Sequence, residues 1–173
     1  MRLANQPILT TSRLELRPFV EEDAQDVFAY ASDPEVAHFT TWHRHESIEM
    51  SRIFITHVAF KEYERGSIGP LAIHFEGRVI GSIDIRAHPD ETWELGYCLA
   101  RPYWGRGLMT EAGKVVLDHA KGFISPAKIK AKVNAENLGS IKVVEKLEFH
   151  LIESKHDVDP KSNQPREMLY YGL

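Results

Sequence analysis

The chain has 173 residues, of which 43% are apolar and 27% charged, and its formal net charge is −4. This length and ordinary composition predict a single globular domain over residues 1–173 with one sizeable core. A mildly acidic chain has no general attraction for nucleic acid, and no apolar run approaches the ~18 residues of a membrane span, so neither partner is expected. Residues 1–10 carry no secretory signal, and the single cysteine, Cys98, excludes an internal disulfide, so a reducing, cytoplasmic location is expected.

Hydrophobic periodicity and turn signals predict alternating strands and helices along the chain. Strands are predicted at 14–17, 71–75, 78–85, 92–99, 128–133, 149–153 and 168–172. Helices are predicted at 23–31, 47–66, 107–121 and 137–146. Two prolines together with Ser and Asn predict that residues 157–166 form a loop between two antiparallel strands. The pattern indicates a mixed α/β domain in which strands outnumber helices.

The stretch 101–112, between a predicted strand and a predicted helix, has the features of a phosphate site. Gly105 and Gly107 let the backbone turn sharply and approach a ligand, and the helix start directs unpaired N–H groups at the same place. Arg101 and Arg106 add positive charge beside the turn. A dinucleotide-binding turn would need glycine at Thr110 and a carboxylate about 20 residues on, and a P-loop would need Gly-Lys-Ser/Thr. Both nucleotide interpretations fail, although phosphate binding remains favoured.

This stretch resembles the acyl-CoA-binding motif of the GCN5-related N-acetyltransferase (GNAT) superfamily, in which Gln/Arg-x-x-Gly-x-Gly/Ala wraps the pyrophosphate of coenzyme A. Trp104 and Met109 depart from that general pattern. The order Tyr-Trp-Gly-Arg-Gly followed by Thr-Glu-Ala is similar to the RimJ/RimL-like branch, which acetylates the N-termini of ribosomal proteins. Further segments carry the resemblance over nearly the whole chain: 11–18, 33–36, 81–85, 94–99, 134–140 and 145–149.

The resemblance implies a mixed, mainly antiparallel central sheet of about seven strands flanked by helices. It implies acetyl-CoA as the cosubstrate, with no metal. It also implies that the strand ending at Leu99 splays from the next strand, so that its backbone pairs with the pantetheine arm and polarises the thioester carbonyl. The cofactor-binding residues implied are Tyr97, Cys98, Leu99, Trp104, Gly105, Arg106, Gly107, Leu108, Met109, Thr110, Asn137 and Ser140.

Acetyl transfer to an amine requires that the amine lose a proton, which a general base can accept. Glu94, on the strand that faces the cofactor, is one candidate, and a surface carboxylate with no catalytic role is an equal interpretation. His74, His88 and His150 are the alternatives, each more typical of a structural or exposed histidine. The identity of the base stays open at the level of sequence.

The leaving thiolate must be protonated, and many family members place a Tyr for this seven residues after the position of Asn137. Val144 stands there in this chain and cannot donate a proton. Ser140 is the substitute that the resemblance implies, either as a proton donor or as a cofactor contact, and a water could serve instead because a thiol near pKa ~8.5 leaves readily. Cys98 is more typical of a small core residue than of an acetylated intermediate, so direct transfer is expected.

The acceptor is expected to be a primary amine, first the α-amine of a protein or peptide N-terminus such as that of a ribosomal protein. A polyamine, an amino acid or an aminoglycoside is the alternative within the same chemistry. Trp42 lies in a loop that borders the acceptor cleft in the branch, although packing explains an aromatic residue equally well. A homodimer is compatible with the resemblance. A CoA-binding module without turnover is the alternative from another class, because Val144 and the uncertain base weaken the catalytic case.

Overall fold

The structure is a computed structural model that describes residues 6–173, so part of the segment examined for a secretory signal, residues 1–5, lies outside the described residues. Its eight strands are β1 (Leu9–Thr10), β2 (Glu15–Pro18), β3 (Ile68–Phe75), β4 (Arg78–Ala87), β5 (Trp93–Leu99), β6 (Ile129–Asn134), β7 (His150–Val158) and β8 (Pro165–Gly172). Its α-helices are α1 (Ala24–Ala31), α2 (Pro34–His38), α3 (Ile48–Ile53), α4 (Phe60–Arg65), α5 (Leu108–Ala120) and α6 (Leu138–Lys146).

The strands form one sheet in the order β1-β2-β3-β4-β5-β6-β8-β7. Every neighbouring pair is antiparallel except β5 and β6, which are parallel. The predicted mixed, mainly antiparallel sheet is therefore confirmed. It contains eight strands rather than about seven because β1, only two residues long, pairs with β2 and is too short to show alternation.

The sheet is covered on both faces, and strand alternation decides which residue faces which layer. In β4, Ile83 and Ile85 are fully buried in the larger core, together with residues of α5 and α6. The alternate residues Ser82 and Asp84 face the opposite side, where α1 and the helical segment 48–65 pack. The domain therefore has a largely apolar layer on one face of the sheet and a partly polar layer on the other.

The predicted helix 47–66 is helical throughout but not regular. A wider π-helical segment, Phe54–Ala59, joins α3 to α4, and Gly66 ends α4 with a φ of 85°. The short helix α2 was missed, because Asp33-Pro34 was interpreted only as the end of the preceding helix. In the structure Asp33 caps α2 by accepting from the N–H of Glu35, and Pro34 takes the first helical position.

The predicted loop 157–166 is wrong at both ends. β7 continues to Val158 and β8 begins at Pro165, so the connecting turn covers only 159–164. Asp157 pairs with Arg166 and Val158 with Pro165, since a proline is tolerated at the first position of a strand. The prolines that suggested a loop therefore mark the two ends of a tight turn.

Candidate active site

The two parallel strands in the middle of the sheet diverge. β5 pairs with β4 along its whole length, but with β6 only from Trp93 to Leu95, opposite Ile129–Ala131. Among the described residues, no strand pairs with the β6-facing edge of β5 over 96–99. The N–H of Ala100 donates to β4, so by alternation the backbone groups of Tyr97 and Leu99 point into the gap. The gap therefore offers backbone donors and acceptors to a ligand.

A glycine turn closes the end of this gap. After β5 comes a single 3₁₀ turn, Arg101–Tyr103, and then Gly105 and Gly107 with φ values of 72° and 76°. An added Cβ at Gly105 would meet nothing within 4 Å, so backbone conformation rather than crowding requires glycine there. α5 begins at Leu108, and its first N–H groups have no partner within the helix. The turn therefore has the geometry of an anion site.

The apolar side chains around the turn point away from that anion site. Leu108 and Met109 are buried in the apolar core, so only their backbone N–H groups can reach a ligand. Met109, where the family favours a small residue, thus does not obstruct the turn. Trp104 donates its indole N–H to the carbonyl of Leu99 at 2.6 Å, which ties the turn back to the end of β5.

The two arginines beside the turn are held by other groups. The guanidinium of Arg106 lies 5.1 Å from the ring centre of Phe75 and 5.5 Å from that of Tyr103. The Nε of Arg101 donates to the Asp33 carboxylate at 3.1 Å, so its charge is largely balanced. Arg106 is therefore the more available of the two cations for a phosphate.

The N-terminal loop is connected to the glycine turn by hydrogen bonds among Thr11, Arg13, Arg106 and Glu111, a set of contacts called the latch below. Glu111, in the first turn of α5, accepts from the hydroxyl of Thr11 at 2.5 Å and from Nε of Arg13 at 2.7 Å. Arg13 also donates to the carbonyl of Arg106 at 3.1 Å. Burial alone would raise the pKa of Glu111, but the hydrogen bonds from Thr11 and Arg13 hold it below its usual value. Nothing in the sequence spacing indicates this contact, since the partners lie almost 100 residues apart.

α6 places a hydroxyl beside the gap. Asn137 caps α6 by accepting from the N–H of Ser140 at 3.1 Å, as its predicted capping position requires. The Ser140 hydroxyl lies 2.7 Å from the hydroxyl of Tyr97, and burial raises the pKa of Tyr97 to about 12 despite that hydrogen bond. Val144 is fully buried in the core. The structure thus brings Ser140 and Tyr97 together on the α6 face of β5.

The other face of β5 carries a cluster of charged side chains. The sequence predicts a possible role for two of them, Glu94 and His88, but not for Asp84 and Arg86. Asp84 of β4 accepts from Nε of Arg86 at 3.0 Å, and Arg86 also lies 3.7 Å from Glu94. His88 lies 3.8 Å from Glu94. Asp84 was not singled out from sequence, although a carboxylate between the apolar residues 83 and 85 of a buried strand was the signal that could have found it.

Cys98 lies on this same face, and its chemistry is that of a buried thiol. Its backbone is opposite Ser82 of β4 rather than toward the gap, and its sulfur lies 3.4 Å from the Ser82 hydroxyl. Burial raises the pKa of the thiol, which therefore stays protonated at neutral pH and is a poor nucleophile.

The turn between β7 and β8 crosses toward α2. Lys161 donates to the carbonyls of Ala37 and His38 at 2.6 and 3.2 Å, and Arg166 donates to His38 at 3.2 Å. Trp42, a few residues further on, is half-buried with its ring 5.6 Å from that of His45. These contacts connect the β6-β8-β7 part of the sheet with helix α2, beyond the ends at which β5 and β6 diverge.

The remaining candidates lie elsewhere. His74 is in β3 and His150 in β7, and neither of these strands is a neighbour of β5. Within residues 6–173, no group of three or more His, Cys, Asp or Glu side chains is placed to hold a metal ion. In the same part of the chain, no helix combines the length and the apolar character needed to cross a membrane.

The fold and the glycine turn define an acetyltransferase, and comparisons with known proteins identify the family. Residues 13–150 match the acetyltransferase (GNAT) domain. The uncharacterised N-acetyltransferase p20 of Bacillus licheniformis is 31% identical over 144 residues, which cover 82% of this chain and 81% of that protein. The chain belongs to the GNAT family and is an N-acetyltransferase, so the expected class of enzyme is confirmed.

Two solved structures share the fold at low sequence identity. RimL, the ribosomal L7/L12 alpha-N-protein acetyltransferase in complex with coenzyme A, superimposes with a TM-score of 0.83 at 18% identity, covering 96% of this chain and 97% of RimL. The microcin C7 self-immunity acetyltransferase MccE, in complex with acetyl-CoA and AMP, has a TM-score of 0.83 at 16% identity, covering 94% and 93%. Equal likeness to both establishes the fold and leaves the acceptor to be argued from this chain's own residues.

Proposed function

We propose that this enzyme transfers the acetyl group of acetyl-CoA directly to a primary amine, first to the α-amine of a protein or peptide N-terminus. The observation that carries the proposal is the gap that opens between β5 and β6 beyond Leu95 and Ala131, with the glycine turn at its end. The free edge of β5 and the N-terminus of α5 follow one another along the gap. Together they offer the backbone groups that an extended ligand with a pyrophosphate at one end needs.

The residues of the gap fit acetyl-CoA. The turn at Gly105 and Gly107, with the N-terminus of α5, suits the pyrophosphate, and Arg106 adds charge beside it. Tyr97 and Leu99 direct backbone groups at the path of the pantetheine arm. Asn137 uses its side-chain oxygen to cap α6, so its amide N–H groups are the part that can donate to that arm.

The chemistry divides between the two faces of β5. Bound acetyl-CoA supplies an activated thioester. A backbone N–H on the gap-facing edge of β5 can donate to the carbonyl oxygen, and the Ser140 hydroxyl, hydrogen-bonded to Tyr97, can protonate the departing sulfur. The proton of the amine leaves on the opposite face, where Glu94, the candidate base from sequence, points. The neutral, buried thiol of Cys98 supports direct transfer over an acetyl-cysteine intermediate.

The preference for a protein N-terminus is supported by the likeness of the turn sequence and the fold to RimL. A small amine is the second candidate, because the turn 159–164 is shorter than expected and is docked on α2 through Lys161. Because this contact holds the turn 159–164 against α2, it leaves less room between them for a peptide than for a small amine. Trp42, whose ring lies 5.6 Å from that of His45, is the residue that we expect to contact either acceptor.

The test is a panel of N-terminal peptides, polyamines, amino acids and aminoglycosides incubated with acetyl-CoA and read by mass and by release of free thiol. We expect an acetylated product on peptide α-amines. A product confined to small amines would replace the peptide acceptor while keeping the reaction. Tight binding of CoA without product on any amine would support a binding module and contradict the proposal.

A further inference from the structure

A largely buried carboxylate, that of Asp84, lies at the point where β5 separates from β6. Asp84 is in register with Gly96, the first residue of β5 beyond the last pair with β6. Gly96 has no side chain, and an added Cβ there would lie 2.5 Å from Nη2 of Arg86 and 2.7 Å from Oδ1 of Asp84, so this ion pair covers the glycine together. The Asp84 carboxylate thus occupies the space directly over the β5 backbone at the mouth of the gap, with its side chain 14% exposed.

Glu94, one candidate base from sequence, lies two residues before Gly96 along β5. It is at a level where β5 and β6 are still paired, opposite Lys130. Strands that are paired stand about 4.8 Å apart, which leaves no room for a ligand between them. Glu94 instead lies 3.7 Å from Arg86 and so helps to hold the guanidinium that Asp84 accepts from. Position therefore favours Asp84 over Glu94 for contact with the reacting amine.

We propose that Asp84 is the base that takes a proton from the acceptor amine, and that Glu94 positions Arg86 beside it. This inference rests on the proposed function, since it assigns a role within the same site. It places the base and the Ser140–Tyr97 pair on opposite faces of neighbouring residues of β5, Gly96 and Tyr97. An amine entering on one face can then attack while the sulfur is protonated from the other.

The step balances with the groups present. The acceptor's ammonium gives one proton to the Asp84 carboxylate, and the freed lone pair forms the C–N bond to the thioester carbonyl carbon. The C–S bond breaks, its electron pair leaves with sulfur, and sulfur takes the proton of the Ser140 hydroxyl. The nitrogen, cationic after the attack, gives up its second proton, which solvent relays to restore the Ser140 hydroxyl. Asp84 returns its proton to solvent after the amide has left.

The charges around Asp84 suit this role. The groups that face it are Arg86 from β4, Glu94 and Cys98 from β5, and Glu62 with Tyr63 from α4. Burial, reinforced by the two glutamates and opposed by Arg86, raises the pKa of Asp84 to about 6. The carboxylate is thus ionised at neutral pH, yet binds a proton more readily than an ordinary aspartate.

The experiment is the pH profile of kcat/KM for the best amine of the panel. For the native enzyme we expect kcat/KM to rise as Asp84 ionises, through about pH 6, and then to level. Asp84→Asn should lower kcat/KM at pH 7 by about 10²-fold. It should also move the rise toward the pKa of the free amine, near ~8, because only amine already neutral in solution could then react.

Two further variants and one binding measurement make the result decisive. Asp84→Glu should retain a rise near that of the native enzyme, and Asp90→Asn, in the exposed turn before β5, should leave the profile in place. Calorimetry with CoA must show unchanged affinity in Asp84→Asn, which would exclude misfolding. A profile that moves in Glu94→Gln but not in Asp84→Asn would overturn the inference. Absence of product with the native enzyme on every amine would instead contradict the proposed function itself.

Discussion

The two faces of β5 differ in how they are made. On the α6 face, Leu95 and Leu99 are buried among the apolar residues of α5 and α6, and Tyr97 meets a single polar partner, Ser140. On the other face, Glu94 and Gly96 lie against the charged residues of β4. One strand thus separates a largely apolar face, the proposed cofactor side, from a charged face, the proposed acceptor side.

This difference shows where function can be encoded locally. The proposed cofactor side depends mostly on consecutive residues, since the end of β5, the glycine turn and the start of α5 follow one another over 96–110, and α6 adds Asn137 and Ser140. The acceptor side depends on residues from β4, β5, α4 and the turn 159–164, which only the fold brings together. The two sides should therefore respond differently to mutation: changes in the first should weaken CoA binding, and changes in the second should alter the reaction with the amine.

The largest expected effect on the cofactor side comes from Gly107→Ala. The added Cβ would lie where the backbone approaches phosphate, so we expect the affinity for CoA to fall at least tenfold, roughly 1.4 kcal/mol, by calorimetry. Gly66→Ala is the matched control, because Gly66 has a similar positive φ and open space but ends α4 far along the chain. Both changes should cost about 1–2 kcal/mol of stability through left-handed strain. Equal affinities in the two variants would contradict the placement of the pyrophosphate.

The next effect tests the polar pair on the α6 face. Ser140→Ala should lower kcat by about tenfold with a smaller change in the acetyl-CoA KM, a loss kept modest because a thiolate is already a fair leaving group. Tyr97→Phe should give a similar loss, and the double variant should lose little more, since the two hydroxyls act together. Tyr171→Phe, another buried tyrosine of the same core, is the control and should keep kcat. A change in KM alone would make Ser140 a binding residue, and no change in either constant would remove it from the site.

The division between the two sides also explains what could be predicted from sequence. The glycine turn, the cap at Asn137 and most strands follow from local conformational preferences, and these agree with the structure. Asp84 was missed because its significance depends on Gly96, which lies across a strand pair, and on the divergence of β6. The sequence predicts a longer loop than the turn 159–164, because Pro160 and Pro165 mask the pairing of Val158 with Pro165, which depends on the partner strand. Local patterns thus predict the glycine turn and the cap of α6, whereas the charged group around Asp84, the Ser140–Tyr97 pair and the contacts of Glu111 depend on tertiary structure.

The smallest expected effect belongs to the latch between the N-terminal loop and the glycine turn. Glu111→Gln keeps the size of the side chain but removes the charge that pairs with Arg13 and weakens its acceptance from Thr11. Arg13 would then hold the carbonyl of Arg106 less firmly, so the turn would lose part of its preorganisation. We expect CoA affinity to fall by about threefold, or about 0.65 kcal/mol, which is within the range of a partly exposed ion pair. Asp118→Asn removes an equal charge from the exposed side of α5 and should leave the affinity unchanged. Equal affinity in Glu111→Gln would show that the turn holds its shape without the latch, and a loss as large as that of Gly107→Ala would mean that Glu111 fixes the anion site itself.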